Sequence, residues 1–180
     1  MELTSHVKKW MAKSNYTFLE KNDELPIDSI ENHINDMFTE QLASKDLSVI
    51  FNNDSIIKSI CTNKTVFLTN IINNIISNAI KFSPVGGVIT VTCTAMDDTL
   101  QIDIMDEGTG IPEETIPHLF NPEIRTTTLG TNNEKGTGFG LPISKKMIEQ
   151  LGGSIEVISG IMVRGNESYG TSFQLKLNLK

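Results

Sequence analysis

In the segment "TVFLTNIINNIISNAIKF" (65–82), Asn74 and Asn78 are four apart and Lys81 follows three later. On a helix of 3.6 residues per turn the three project along one narrow stripe, which Asn70 extends upstream. Asparagine is a mediocre helix former, so a line of amides beside a wide apolar face asks for a reason. One reading is an ordinary solvated face in an Asn-rich chain. The other is chemical: amide oxygens suit a hard cation such as magnesium, amide N–H groups donate to phosphate oxygens, and a lysine supplies a point charge for a phosphate.

A carboxylate follows in "LQIDIMDEGTGIP" (100–112). Strand alternation places Leu100, Ile102 and Ile104 on one face and makes Asp106 the next residue on it. An inward carboxylate is costly unless it receives hydrogen bonds, so Asp106 is expected to receive them inside a pocket. Gly108 and Gly110 then permit a sharp turn or a close approach of backbone to a flat ligand. A plain Asp-Gly turn is the competing reading, and the further oxygen ligands of a calcium loop are missing.

The third group is "NEKGTGFGLPISKKMIEQLGG" (133–153), where Gly136, Gly138 and Gly140 alternate just ahead of a helix expected to begin near Leu141-Pro142. The unsatisfied N–H groups and positive dipole end of such a helix attract an anion, and the absent side chains let phosphates approach. The spacing is neither the Walker G-x-x-x-x-G-K-[ST] nor a G-x-G-x-x-G after a strand, which argues against both common nucleotide folds.

Periodicity predicts the elements that must position these groups. Leu3, Val7, Trp10, Met11 and Phe18 suggest an amphipathic helix over 3–18, ended by "EKNDELP". Ile27, Ile30, Ile34, Phe38 and Leu42 predict a helix from about Asp28 to Ala43, and "LSVIFN" a short strand after it. The 65–82 segment is too long and periodic for a strand; its apolar face gathers Leu68, Ile71, Ile72, Ile75, Ile76 and Ala79. "VITVTCTA" and "LQIDIMD" read as an antiparallel pair around "MDD", and "SIEVIS" and "TSFQLKLNL" as two closing strands separated by a polar stretch. A helix over about Leu141–Leu151 is closed by Gly152-Gly153. Between these, residues 107–140 form a Gly-, Thr-, Asn- and Pro-rich stretch far longer than an ordinary connection, which marks a functional or disordered loop.

The expected fold class is therefore α+β, a two-layer sandwich with a mixed, mostly antiparallel sheet on about three helices. A chain of 180 residues with 38% hydrophobic content suffices for one domain with a core. The net charge of -7, with no basic run, argues against nucleic acid or an anionic membrane as a partner. No apolar run reaches the roughly 18 to 20 residues that span a bilayer, and no signal sequence opens the chain, so it reads as cytoplasmic without direct membrane contact. Cys61 and Cys93 lack the spacing of a metal or redox pair and are expected to pack as small hydrophobes.

Taken in order, N-x-x-x-N-A-x-K-F, D-x-G-x-G-I-P, F-x-P, G-T-G-F-G-L and G-T-S-F make a sequence that resembles the ATP-binding catalytic domain of sensor histidine kinases, within the superfamily shared with gyrases, ATP-dependent chaperones and MutL proteins. The resemblance covers roughly residues 26–180 and implies a Bergerat-type fold that binds ATP and Mg2+. It would make Asn74 and Asn78 the N box on magnesium and the phosphates, Asn74 and Lys81 the catalytic pair, and Phe82 a neighbour of the nucleoside. Asp106 would accept the adenine amino hydrogen, with Gly108, Gly110 and Ile111 against the base and Thr171 closing that end. Gly136, Thr137, Gly138, Phe139, Gly140 and Leu141 would line the phosphates. Residues 113–139 would be the ATP lid, with Arg125 and Lys135 its candidates for the γ-phosphate.

ATP-hydrolysing relatives carry Glu at the first N-box position, and Asn74 cannot act as a general base, so transfer to a protein side chain is favoured over hydrolysis. The implied acceptor is a histidine on a separate dimerising hairpin of the parent kinase, with a response regulator as the indirect partner. His6, His33 and His118 match no H box and are expected to be structural or exposed. Residues 1–25 are then either the end of that hairpin or a capping helix, and a monomer is expected. Glu123 stands where the family's F box usually repeats Phe. Two other readings stay open: a serine protein kinase of the anti-sigma type, and a nucleotide-sensing interaction module without chemistry.

Overall fold

The computed structural model describes residues 23–163 and 168–179. The helix expected over 3–18, and His6 with it, lie outside them. In chain order the elements are β1 (Asp23–Pro26), α1 (Asp28–Ser44), β2 (Ser48–Asn53), β3 (Ser59–Thr62), the helix α2, β4 (Val88–Met96), β5 (Thr99–Asp106), a 3-10 turn at Ile116–His118, α3 (Gly140–Gln150), β6 (Ser154–Val163) and β7 (Ser168–Asn178). Helix α2 runs without interruption through an α turn at Lys64–Val66, a π segment at Phe67–Ile72 and an α stretch at Asn73–Phe82.

Five strands form the main sheet in the order β2-β4-β5-β7-β6. β2 lies parallel to β4, and the other pairs are antiparallel. The expected mixed, mostly antiparallel sheet on about three helices is borne out. The period-2 pattern does the sorting: β5 buries every second residue, Leu100, Ile102, Ile104 and then Asp106. Leu100, Ile102 and Ile104 join Ile34 and Phe38 of α1 and Ile72, Ile75 and Ile76 of α2 in one apolar cluster. Each fully buried aliphatic or aromatic side chain contributes roughly 1.5–3 kcal/mol over its exposed state.

Two small strands were not legible in advance. β1 and β3 pair antiparallel as a separate ribbon, burying Leu25 and Ile60, but "DELP" is acidic and proline-ended and "SICT" is only four residues long. β6 and β7 also run through much of the stretch read as a polar separator, with a bulge at Ser159/Ile161 where Gly160 takes φ 76°.

The π segment corrects the uniform helical reading of 65–82. Phe67/Leu68, Ile71/Ile72, Ile75/Ile76 and Ala79/Ile80 are buried pairs repeating every four residues, a period longer than 3.6. The wider i→i+5 turn keeps the first pairs over the same core as the later ones. It also moves Asn70 off the stripe: its side chain is exposed and only its carbonyl is engaged, by the Ser144 hydroxyl at 3.0 Å. Cys93 is buried as expected, whereas Cys61 is exposed because it points away from the core on β3. No helix among the described residues is long and apolar enough to cross a membrane.

Candidate functional site

The last buried position of β5 belongs to Asp106, which is 4% exposed. Its carboxylate accepts the Gly108 N–H at 2.8 Å, and the Thr171 backbone also donates to it. Burial nevertheless wins and pushes its pKa up to about 6. Gly108 is required by space: a Cβ there would lie 2.6 Å from both Asp106 Oδ1 and the Phe82 carbonyl oxygen. Gly110 takes φ 71°, turning the chain so that the Ile111 N–H donates to Ser159 Oγ at 2.6 Å. Ser159 Oγ in turn lies 3.2 Å from Thr171 Oγ1. Sheet register places Asp106 opposite Thr171, and Thr171 opposite Ser159, on three adjacent strands. Nothing local in "SIEVIS" announces that the Ser159 hydroxyl reaches another motif.

Helix α2 forms the facing wall. The Asn74 amide N–H donates to Ser144 Oγ at 2.8 Å, tying α2 to α3. Gly140, at the start of α3, presses against Asn74 so closely that a Cβ would collide with the amide. One turn further on stands Asn78, half-buried. Lys81 Nζ lies 4.6 Å from the Phe82 ring centroid and donates to the Thr128 carbonyl at 2.8 Å. Burial lowers its pKa, with Glu134 opposing the shift.

The long loop between β5 and α3 closes the remaining side. Leu119 is buried and Phe120 packs against the core, with Lys145 Nζ 5.2 Å from its ring centroid. Glu123 is exposed. Residues 130–134 make a tight turn docked on the end of α2: Thr131 N–H donates to the Lys81 carbonyl at 3.0 Å and its hydroxyl to the Ser83 carbonyl at 2.8 Å.

Together these walls enclose a cavity of about 600 Å³, within the roughly 300–1,000 Å³ usual for small-molecule sites. Asn74, Asn78, Lys81, Phe82, Asp106, Gly110, Ile111 and Thr171 line it from α2, the sheet and the turn that follows β5. Lys135, Gly136, Thr137, Gly138, Gly140 and Leu141 line it from the loop and α3. Gly108, Arg125 and Phe139 are off its lining. Gly108 lies beneath the Asp106 carboxylate, and exposed Arg125 sits 5.4 Å from the Phe139 ring centroid. Ser77, Thr109, Thr115 and the run Thr126–Leu129 line the cavity without having been singled out. Of the histidines, His33 pairs with Asn73 Oδ1 at 2.7 Å and His118 is exposed. No group of three His, Cys, Asp or Glu residues suited to a metal occurs among the described residues.

One cavity lined by a buried carboxylate and by amides, a lysine and a glycine-rich helix start offers both acceptors and donors to a polar ligand. Residues 63–180 match the family described as histidine kinase-, DNA gyrase B-, and HSP90-like ATPases, and the chain belongs to that family. Among its relatives, the sensor histidine kinase WalK of Bacillus subtilis is 35% identical over 127 residues, 69% of this chain and 18% of that protein. The sensor histidine kinase RcsC of Salmonella typhimurium is 36% identical over 113 residues, 62% of this chain and 11% of that protein. The chain thus spans less than a fifth of either kinase. The fold matches the catalytic domain of histidine kinase ThkA with a TM-score of 0.70 at 23% identity, covering 88% of this chain and 95% of that one. It also matches ThkA in complex with the response regulator TrrA, with a TM-score of 0.73 at 22% identity over 99% of this chain and 47% of that one.

Proposed function

We propose that this chain is the ATP-binding catalytic domain of a histidine kinase, donating the γ-phosphate to a histidine on a separate hairpin domain of the parent kinase in two-component signalling. The observation that carries this reading is the polarity of one cavity. Its buried carboxylate, Asp106, faces the same space as Asn74, Asn78, Lys81, Gly136, Gly138 and Gly140. Asp106 accepts the adenine amino hydrogen, and Ile111 and Phe82 cover the base. The α3 N-terminus and its glycines receive the phosphates, with Lys81 and Lys135 as positive charges near them.

Asn74 and Asn78 provide neutral oxygens without an adjoining carboxylate cluster. That donor set fits a magnesium ion that takes its remaining oxygens from phosphates and water. When bound, the ion supplies charge neutralisation along the triphosphate. This chain's own residues orient the phosphates and exclude water. Because Asn74 is no base, the acceptor histidine must bring its own nucleophilic nitrogen. The response regulator is the indirect partner of this reading, which is supported by the similar kinase ThkA having been crystallised in complex with one.

The test is to incubate the protein with labelled ATP and the hairpin domain of its parent kinase. Acid-labile, base-stable label on the hairpin is expected. Acid-stable label on a partner would indicate serine transfer instead, and a folded, ATP-bound protein that labels no hairpin would leave the interaction module as the better reading.

A further inference from the structure

A lysine outside the cavity joins two walls of the site, the end of α2 and the long loop. Lys45 ends α1 and is 2% exposed, an expensive place for an ammonium unless its donors are satisfied. Its Nζ lies 2.8 Å from the Ile80 carbonyl, 2.9 Å from the Lys81 carbonyl and 3.4 Å from the Ser83 carbonyl, at the C-terminal end of α2. These groups have no onward helical partners, and a cation there also complements the helix dipole. The remaining contacts come from the long loop: Thr131 Oγ1 at 2.7 Å and the Glu134 carboxylate at 2.9 Å.

The loop turn is shaped to receive it. Gly130 N–H donates to the Glu134 carbonyl at 3.0 Å, and Asn132 N–H to the Glu134 carboxylate at 2.8 Å. A Cβ on Gly130 would lie 2.5 Å from Lys81 Cγ and 2.8 Å from the Lys81 carbonyl oxygen, so the turn packs flat against the residue that presents the phosphate-end lysine. The segments on either side, Thr126–Leu129 and Lys135–Gly138, both line the cavity.

We infer that Lys45 is a positioning residue that anchors the loop at residues 130–134 to the end of α2, fixing Lys81 and both loop arms around the phosphate end, while its own contacts go to the α2 end and the loop rather than to Asp106, Ile111 or Thr171. The inference rests on the nucleotide reading above for its binding consequence, but not for its mechanical one. The anchor has two readouts. The first, on the nucleotide-free protein, is amide hydrogen exchange over residues 126–138 in wild type, Lys45→Met, Glu134→Gln and Thr131→Val. The last two alter only loop side chains and keep the test alive if Lys45→Met does not fold. Faster exchange confined to 126–138 is expected, and unchanged protection there in folded variants overturns the anchor. The second is affinity for ATP against adenosine. About tenfold weaker ATP binding with adenosine binding held within about twofold is expected for Lys45→Met, and a smaller change of the same kind for Glu134→Gln. An equal loss for both ligands overturns the positioning role in favour of a merely structural one. A wild type that binds neither ligand would refute the nucleotide reading, while the exchange result would still decide the anchor.

Discussion

Replacing Asp106 with asparagine should stabilise the protein while disabling its cavity. Native Asp106 keeps its proton up to about pH 6, whereas the unfolded chain releases it near 3.8. Between those values the native state binds more protons than the unfolded one. Stability therefore falls as pH rises through that window and stays lowered above it. The rise corresponds to roughly 3 kcal/mol against the ionised native form. Asparagine removes the charge but keeps one oxygen for the Gly108 N–H; turning its NH₂ toward the second backbone donor, at Thr171, sacrifices about 1 kcal/mol. The net gain at pH 7.5 is about 2 kcal/mol, or a melting temperature about 4–8 °C higher for a domain of this size. At pH 5 the wild-type carboxyl is protonated in the native state, and the gain shrinks below about 1 kcal/mol. Urea and thermal denaturation of both proteins at the two pH values measure this directly. A destabilised Asp106→Asn protein, or a difference that does not depend on pH, would refute the account of the carboxylate as a buried group held ionised at the protein's expense. On the proposed function the same variant loses selectivity for adenine, since the amide presents a donor where the base needs an acceptor.

Asn78→Asp should weaken magnesium-dependent ATP binding by about tenfold, because the amide donor to phosphate is replaced by negative charge; unchanged affinity in a titration would move the phosphate site elsewhere. Gly140→Ala drives a methyl into the Asn74 amide and should loosen its bond to Ser144, so ATP affinity should fall while adenosine affinity holds; equal retention of both would contradict the close fit. Ser159→Ala leaves the Ile111 N–H without its acceptor and should lower stability by about 1 kcal/mol, read from the urea midpoint. An unshifted midpoint would mean that water replaces the hydroxyl at no cost.

Strong periodicity made most of the architecture legible. The alternation ending at Asp106 predicted an inward carboxylate, and Asp106 is buried where that alternation placed it. Helix α1 matched its apolar series almost to the residue. What stayed hidden depended on tertiary register. Ser159 reaches Ile111 only because β6 and β7 bring distant segments side by side, and no local pattern encodes that pairing. No local pattern marks Lys45, whose partners lie 35 to 89 residues away in sequence. Asn70 misled because a period of 3.6 was carried through a segment whose buried pairs recur every four residues and wind as a π turn. Arg125 and Lys135 were inseparable by composition within one loop; folded, Lys135 faces the cavity and Arg125 stacks outside it on Phe139.

On the proposed function, one cavity reads adenine at Asp106 and phosphates at Asn74, Asn78 and Lys81. Calorimetric titration with ADP and with GDP, each with and without magnesium, on wild type and Asp106→Asn, tests it most directly. ADP is expected to bind, more tightly with magnesium, while GDP does not and the variant loses the ADP binding. Equal affinity for ADP and GDP, or ADP binding that survives Asp106→Asn, would contradict it.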